Sequence, residues 1–266
     1  MKSTKEIYEK YPYPLKENLE LSKNINWSWL DKLFNEKLKY SVDNFKGLKV
    51  LDAGCGTGEK SLWLKSKGAI VIGIDQSFNS IIYAINLDNE ILFMKLSIED
   101  LNKIRNLKYD FIFCYGVLHH TEDLHKSFAI LCNKLNKGGY IFLNVYSKWA
   151  WKFRDNYRIN KMLIKKYPDD LEKRKKEAME IIKSSAWRKF GNKEENYYVD
   201  TYCNFQTIHS IGELIKMYNE NGITVTGIYP NRFGDNKNIL SRSLNQLEQA
   251  IRHETNSDIN IVGVKK

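Results

Sequence analysis

The run Val50-Leu51-Asp52-Ala53-Gly54-Cys55-Gly56-Thr57-Gly58 decides how this chain is read. It follows an apolar stretch of strand length and opens a helical pattern, the setting that a nucleotide-binding turn requires. Glycines at such a turn let the backbone bend sharply and let a ligand approach with no Cβ in the way. The spacing is G-x-G-x-G, whereas the dinucleotide pyrophosphate fingerprint is G-x-G-x-x-G. Glu59 stands where that fingerprint's third glycine would fall, and its carboxylate opposes a pyrophosphate. No Gly-Lys-Ser/Thr follows, so a phosphate-cradling P-loop is excluded. Asp52, just before the glycines, suits a cationic ligand. Asp75 ends the next apolar run, where a carboxylate can accept hydrogen bonds from both ribose hydroxyls. The pattern points to a nucleoside that carries positive charge and no phosphate.

Working outward, apolar runs at 49–52, 70–75, 91–96, 111–115 and 140–146 read as strands. Helical patterns at 59–67, 78–86, 99–105 and 124–135 alternate with them, and Gly138-Gly139 turns the chain into the fifth strand. Such alternation predicts βαβ units and a parallel sheet. After Tyr146 the alternation stops. It resumes with a helix at 210–219 and strands at 223–229 and 259–264, with a helix-like stretch at 244–252 between the strands. The expected organisation is an N-terminal helical strap or lid (1–45), a ligand-binding core (46–147), a helical insertion or cap (148–205) and a segment completing the sheet (206–266).

The glycine-rich stretch resembles the first motif of class I S-adenosylmethionine-dependent methyltransferases. Asp75 matches that family's ribose-binding acid. Ser97-Ile98-Glu99-Asp100-Leu101 resembles its adenine-edge motif, with Ser97 in place of the usual acid. The stretch from Tyr109 through Phe113 and Tyr115-Gly116-Val117-Leu118 to His119-His120 looks like the fourth motif of the ubiquinone/menaquinone C-methyltransferase-like branch. The resemblance implies a Rossmann-like α/β fold: a seven-stranded, mostly parallel sheet with helices on both faces, its last strand antiparallel, and a helical insertion after the fifth strand. It implies S-adenosyl-L-methionine as cofactor, with contacts at Asp52, Gly54, Cys55, Gly56, Gly58, Asp75, Gln76, Ser97, Ile98 and Tyr115. Methyl transfer to an O, N or C atom of a small-molecule or lipid-like acceptor is the implied reaction. Transfer to RNA is the alternative. A nicotinamide oxidoreductase and a non-catalytic nucleoside-binding protein are the readings from other classes.

His119 and His120 follow the fourth strand, whose carboxyl end faces the ligand crevice in open α/β sheets. One of them could deprotonate an acceptor, or both could be hydrogen-bonded structural residues. Tyr8, Tyr11 and Tyr13, with Pro12 and Pro14, form an aromatic cluster that reads as a lid or as a hydrophobic strap. Asp200, Tyr202 and His209 precede the last helix, and in similar enzymes that connection borders the acceptor pocket. Tyr11, Tyr13, Tyr202 and His209 are the candidate acceptor contacts.

The formal charge is +10, from 42 Lys+Arg against 32 Asp+Glu. Most of the excess lies between Lys148 and Lys193, where fifteen Lys or Arg meet six Asp or Glu, interleaved with Trp149, Trp151, Phe153, Tyr157, Tyr167, Trp187 and Phe190. That segment reads as a solvated helix face (Lys173-Arg174-Lys175-Lys176), as a surface for RNA, or as a surface for an anionic membrane. The four cysteines, Cys55, Cys114, Cys132 and Cys203, form no C-x-x-C pair, so neither a disulfide scaffold nor a structural metal is expected. No run nears the roughly 20 apolar residues that span a bilayer. The opening MKSTKEIYEKYPYP has no apolar signal region, so a cytoplasmic setting is expected.

Overall fold

The strands form because short β-branched and aromatic runs lie between glycine-bearing turns. In the computed structural model, which describes residues 4–13, 22–104, 106–148, 155–184, 195–230 and 258–266, they assemble one seven-stranded sheet. Helix α1 (Thr4–Lys10) and helix α2 (Ser28–Lys32, continued by a π-helical turn Leu33–Lys37) precede it. Then come β1 (Lys49–Ala53), α3 (Glu59–Ser66), β2 (Ile70–Asp75), α4 (Phe78–Leu87), β3 (Leu92–Lys95) and β4 (Tyr109–Tyr115). Helix α5 (Leu124–Asn133) leads to β5 (Leu135–Tyr146). The insertion holds α6 (Asp155–Lys166), α7 (Leu171–Ser184) and α8 (Glu195–Tyr198), which runs into a π-helical turn Val199–Cys203. Helix α9 (Ile211–Glu220), β6 (Ile223–Pro230) and β7 (Asp258–Lys265) complete the fold. The sheet order is β3-β2-β1-β4-β5-β7-β6, and β7 is antiparallel to both neighbours.

Side chains alternate across a strand with a period of two, and this alternation divides the core. Phe111, Phe113 and Phe142 face one side with α2, Trp63 of α3 and Ile81 of α4. Ile112, Cys114, Ile141 and Leu143 face the other side with Phe128 of α5 and Met217 of α9. Phe34 sits at the centre of the first layer, its ring 4.9 Å from Phe142 and 5.6 Å from both Phe45 and Trp63. A smaller third core joins α1 to the insertion through Ile7, Tyr11, Leu163, Leu171, Ala178 and Val199.

Several sequence expectations are corrected. The helix expected over 99–105 is not an α-helix where it is described, at 99–104: Ser97 Oγ accepts from Asp100 N, and a short 3-10 turn, Glu99–Lys103, results. The helix expected to 135 stops at Asn133, and the fifth strand starts at Leu135 rather than at 140. The two changes share one cause. Tyr109 pairs with Leu135 but Phe111 pairs with Tyr140, so the strand bulges, with Gly138 at φ +77°. The basic run in α7 is not a uniformly solvated face, because Arg174 is fully buried and donates to the Cys203 carbonyl at 2.7 Å. The helix-like stretch at 244–252 lies outside the described residues, as do Pro14, Trp149, Trp151, Phe153, Trp187 and Phe190. No helix among the described residues is long and apolar enough to cross a membrane.

Truncating Phe34 removes the ring on which one whole layer converges. Phe34→Ala is expected to cost about 3–5 kcal/mol, read as a lower denaturant midpoint with an unchanged slope in equilibrium unfolding.

Candidate functional site

The glycine-rich turn leaves β1 and doubles back under the end of β2. Gly54 N and Cys55 N donate to the Ile74 carbonyl at 2.8 and 2.9 Å. Gly54 lies at φ +80°, and a Cβ there would stand 2.4 Å from Val117, so this position requires glycine. Gly56 N–H donates to Asp75 Oδ2 at 3.0 Å, and Ser77 N–H donates to Asp75 Oδ1 at 2.8 Å. These two bonds fix the carboxylate at the mouth of a cavity of about 790 Å³ over the carboxyl ends of the strands.

Asp52, Gly54, Cys55, Gly56, Asp75 and Gln76 line one part of that cavity, with Ser97 and Ile98 beside them. Tyr115 lines it from the end of β4. Gly58 does not: it starts α3 at φ +91°, where a Cβ would crowd Ala84 of α4 at 3.0 Å. Asp52 is buried and accepts from Ser61 Oγ at 2.6 Å. Burial pushes its carboxyl up to about 6, against the downward pull of that hydroxyl. Burial likewise raises Asp75, against the pull of the Ser77 and Gly56 N–H groups. The Cys55 thiol is pushed well up by burial, then by Asp52 and Asp75, so it is no nucleophile. Lys60, on the first turn of α3, also lines the cavity, with its Nζ 4.7 Å from the Tyr115 ring centroid. Burial pulls its ammonium down.

The other part of the wall comes from α1, the ends of β5 and β7, and the insertion. His120 lines it; Nδ1 lies 2.6 Å from the Phe205 carbonyl and Nε2 lies 3.6 Å from Asp200 Oδ1. Tyr8 OH donates to the same Asp200 oxygen at 2.5 Å. Tyr13, Asn144, Tyr146 and Asp258 line the cavity as well. Helix α1 is fastened over it: Ser77 Oγ donates to the Tyr8 carbonyl at 3.1 Å, and Glu9 Oε2 accepts from Phe78 N at 2.6 Å.

Four candidates are held away from the cavity. His119 is fully buried, stacks on Tyr146 at 3.7 Å, and has no hydrogen-bond partner for either ring nitrogen among the described residues. Burial holds its imidazole well below the usual range, so it stays neutral. Tyr11 packs in the third core and shares its hydroxyl with Glu172 and Lys175. Tyr202 sits in that same core, bonded to Asn156 at 2.9 Å. His209 bonds Thr207 Oγ1 at 2.7 Å, and its backbone pairs with Tyr146. Sequence reasoning passed over Lys60, Asn144 and Asp258. Asp258 had one usable signal. An antiparallel last strand starts where β5 ends, and Tyr146 pairs with Asp258. No group of three or more His, Cys, Asp or Glu that could hold a metal occurs among the described residues.

Sheet order, antiparallel final strand and glycine turn together define a class I α/β domain of the S-adenosylmethionine-dependent kind. The chain belongs to the methyltransferase domain family, whose model matches residues 27–225. A ubiquinone biosynthesis O-methyltransferase of Glaesserella parasuis is 31% identical over 125 residues, 43% of this chain and 53% of that protein. A tRNA U34 carboxymethyltransferase of Campylobacter fetus is 37% identical over 108 residues, 38% of this chain and 37% of that protein. The chain spans about half or less of the length of these curated relatives. Among solved structures, magnesium protoporphyrin IX methyltransferase of Synechocystis PCC 6803 with bound SAM shares the fold. Its TM-score is 0.53 at 15% identity, over 98% of this chain and 88% of that one.

The raised Asp52 has a measurable consequence. Its folded pKa, about 6, lies above the unfolded value. Between about pH 4 and that value the folded state keeps a proton that the unfolded chain has lost, so rising pH destabilises the ligand-free protein through this window. Asp52→Asn keeps an acceptor for Ser61 without the charge. It is expected to stabilise the ligand-free protein by up to ~3 kcal/mol at about pH 7.5 and to change nothing near pH 4, as read by denaturant unfolding at both pH values.

Proposed function

We propose that this chain is an S-adenosylmethionine-dependent methyltransferase acting on a small-molecule acceptor. One observation carries the reading: Asp75, half-buried at the end of β2, is aimed into a covered cavity by two backbone N–H groups. A carboxylate has about four acceptor sites, so ribose hydroxyls can share it with those donors. In this reading Asp52, Gly54, Cys55, Gly56, Gln76, Ser97, Ile98 and Tyr115 surround the cofactor. Lys60 borders the cavity, its ammonium disfavoured by burial and supported by Glu59 and Asp52; in this reading the cofactor's own carboxylate lies against it. Gly58 acts indirectly, by setting α3 against α4.

The bound cofactor supplies an electrophilic methyl carbon on a sulfonium. The protein supplies no nucleophile; it orders both reactants, and such ordering contributes on the order of 7–11 kcal/mol to lowering a barrier. Residues 1–45 then serve as strap, 46–147 as cofactor core, 148–205 as cap and 206–266 as completion of the sheet. A small acceptor is favoured over RNA by the state of the basic cap. Lys175 pairs with Glu172 and Glu195, Lys166 with Glu177, and Lys173 with Asp170. These carboxylates compete with a phosphate for the same three lysines.

The test is titration calorimetry with S-adenosylhomocysteine. Saturable binding is expected, with Asp75→Ala weakening it about 10- to 100-fold and Lys60→Met about tenfold. Absence of saturable binding, or an Asp75→Ala variant that binds like the parent, defeats the reading.

A further inference from the structure

We propose that the acceptor is a small amine, held as its ammonium by Asp200 and the tyrosines around it, and deprotonated by His120 before methyl transfer. This rests on the methyltransferase reading of the cavity and specifies the acceptor.

The argument starts with a tautomer. The Phe205 carbonyl can only accept, and it lies 2.6 Å from His120 Nδ1, so Nδ1 carries a proton. In the neutral ring the lone pair is therefore at Nε2. Nε2 and Asp200 Oδ1 are 3.6 Å apart, too far for a hydrogen bond. Tyr8 OH donates to that Asp200 oxygen, and burial followed by Asp200 itself keeps this phenol protonated. A carboxylate and a basic nitrogen thus stand side by side in the cavity wall. The ligand that fits them donates to both. A primary ammonium has three N–H donors, a hydroxyl has one, and a carboxylate or phosphate has none.

The surrounding wall favours the same ligand. The lining as a whole carries eight Asp or Glu, Asp200 and Asp258 among them, against four lysines, Lys5, Lys60, Lys95 and Lys126. The whole chain is basic at +10, so this acidic wall is a local reversal of charge. Four tyrosines, Tyr8, Tyr13, Tyr115 and Tyr146, line the same cavity. Aromatic faces attract ammonium groups, more strongly where water is excluded, and α1 covers this part of the site. The titratable groups facing the His120 ring are Tyr8 from α1, His119 on its own turn, Tyr146 from β5 and Asp200 from the insertion.

The step balances. The ammonium gives one proton to His120 Nε2, and Asp200 sits beside the imidazolium that forms. The amine lone pair forms a bond to the methyl carbon while the carbon–sulfur bond breaks, its electron pair leaving on sulfur. The products are a methylated ammonium and S-adenosylhomocysteine, and His120 returns its proton to solvent.

The experiment uses protein first saturated with S-adenosylhomocysteine, which tests the methyltransferase reading on its own. Benzylamine, benzyl alcohol and benzoate, alike in shape and different in charge, are then titrated into the loaded protein. Benzylamine is expected to bind at least about tenfold more tightly than the other two. Asp200→Asn is expected to erase that preference and leave S-adenosylhomocysteine affinity intact. In turnover, a panel of primary amines is expected to release S-adenosylhomocysteine from S-adenosylmethionine. His120→Asn retains a donor for the Phe205 carbonyl but has no basic nitrogen, so it is expected to lower kcat about 100-fold or more with KM little changed. Benzylamine binding no tighter than benzyl alcohol overturns the proposal. So does turnover confined to phenols, carboxylic acids or RNA, or absent from every amine. Failure of S-adenosylhomocysteine to bind instead removes the reading beneath it.

Discussion

A single backbone-to-carboxylate contact, Gly56 N–H to Asp75, organises this molecule. It joins the turn after β1 to the end of β2, and Asp75 passes the connection on to Ser77 at the start of α4. Ser77 Oγ then donates to the Tyr8 carbonyl of α1, and Tyr8 OH reaches Asp200 in the insertion beside His120. One polar path therefore runs from the glycine turn across the cavity to the cap. A buried carboxylate costs several kcal/mol unless its lone pairs are filled, so each link constrains the next. Glycine at position 54 makes the turn tight enough to begin the path.

The strap and the cap hold each other in place. Ile7 of α1 and Tyr11 just after it supply part of the apolar core formed with α6 and α7. Lys10 adds an exposed pair with Glu172, a contact of small energetic weight because solvent screens it. The buried apolar contacts and the Glu9 carboxylate at the N-terminus of α4 carry the attachment, since a negative group there meets unpaired backbone N–H donors. The same helix that closes the third core therefore also roofs the cavity. Any motion that admits a ligand beneath Tyr8 must loosen the cap core as well, which couples entry to local stability.

The sheet was legible because parallel strands buried on both faces read as apolar runs, and 70–75 proved identical to β2. The beginning of β5 was not, because Asn136 to Gly139 bulge within the strand and resemble a turn in any local window. The glycine turn and Asp75 were legible together, since ligand approach and close packing both demand glycine there. The two histidines show where sequence stops. They are neighbours on one short 3-10 turn, yet His119 stacks into the core and His120 faces the cavity. Composition cannot tell them apart, because the direction of each ring is set by Tyr146 and Phe205, residues far along the chain. Tyr11 and Tyr13 separate for the same reason: Glu172 and Lys175 draw Tyr11 outward to the cap.

Charge is distributed against the composition. Lys166, Lys173 and Lys175 of the basic segment are paired with carboxylates, while Asp52 and Asp200 are buried in the cavity wall. Asp52 and Asp75 both sit above their ordinary range because burial disfavours their charged forms; Asp75 adds to the rise at Asp52, and Glu9 adds to the rise at Asp75. A cation placed between such groups reverses the sign of the local field and draws both toward ionisation. A positive group relieves Asp52 and Asp75, while Lys60, whose ammonium burial disfavours, is relieved by a carboxylate; a sulfonium that also carries a carboxylate meets both demands.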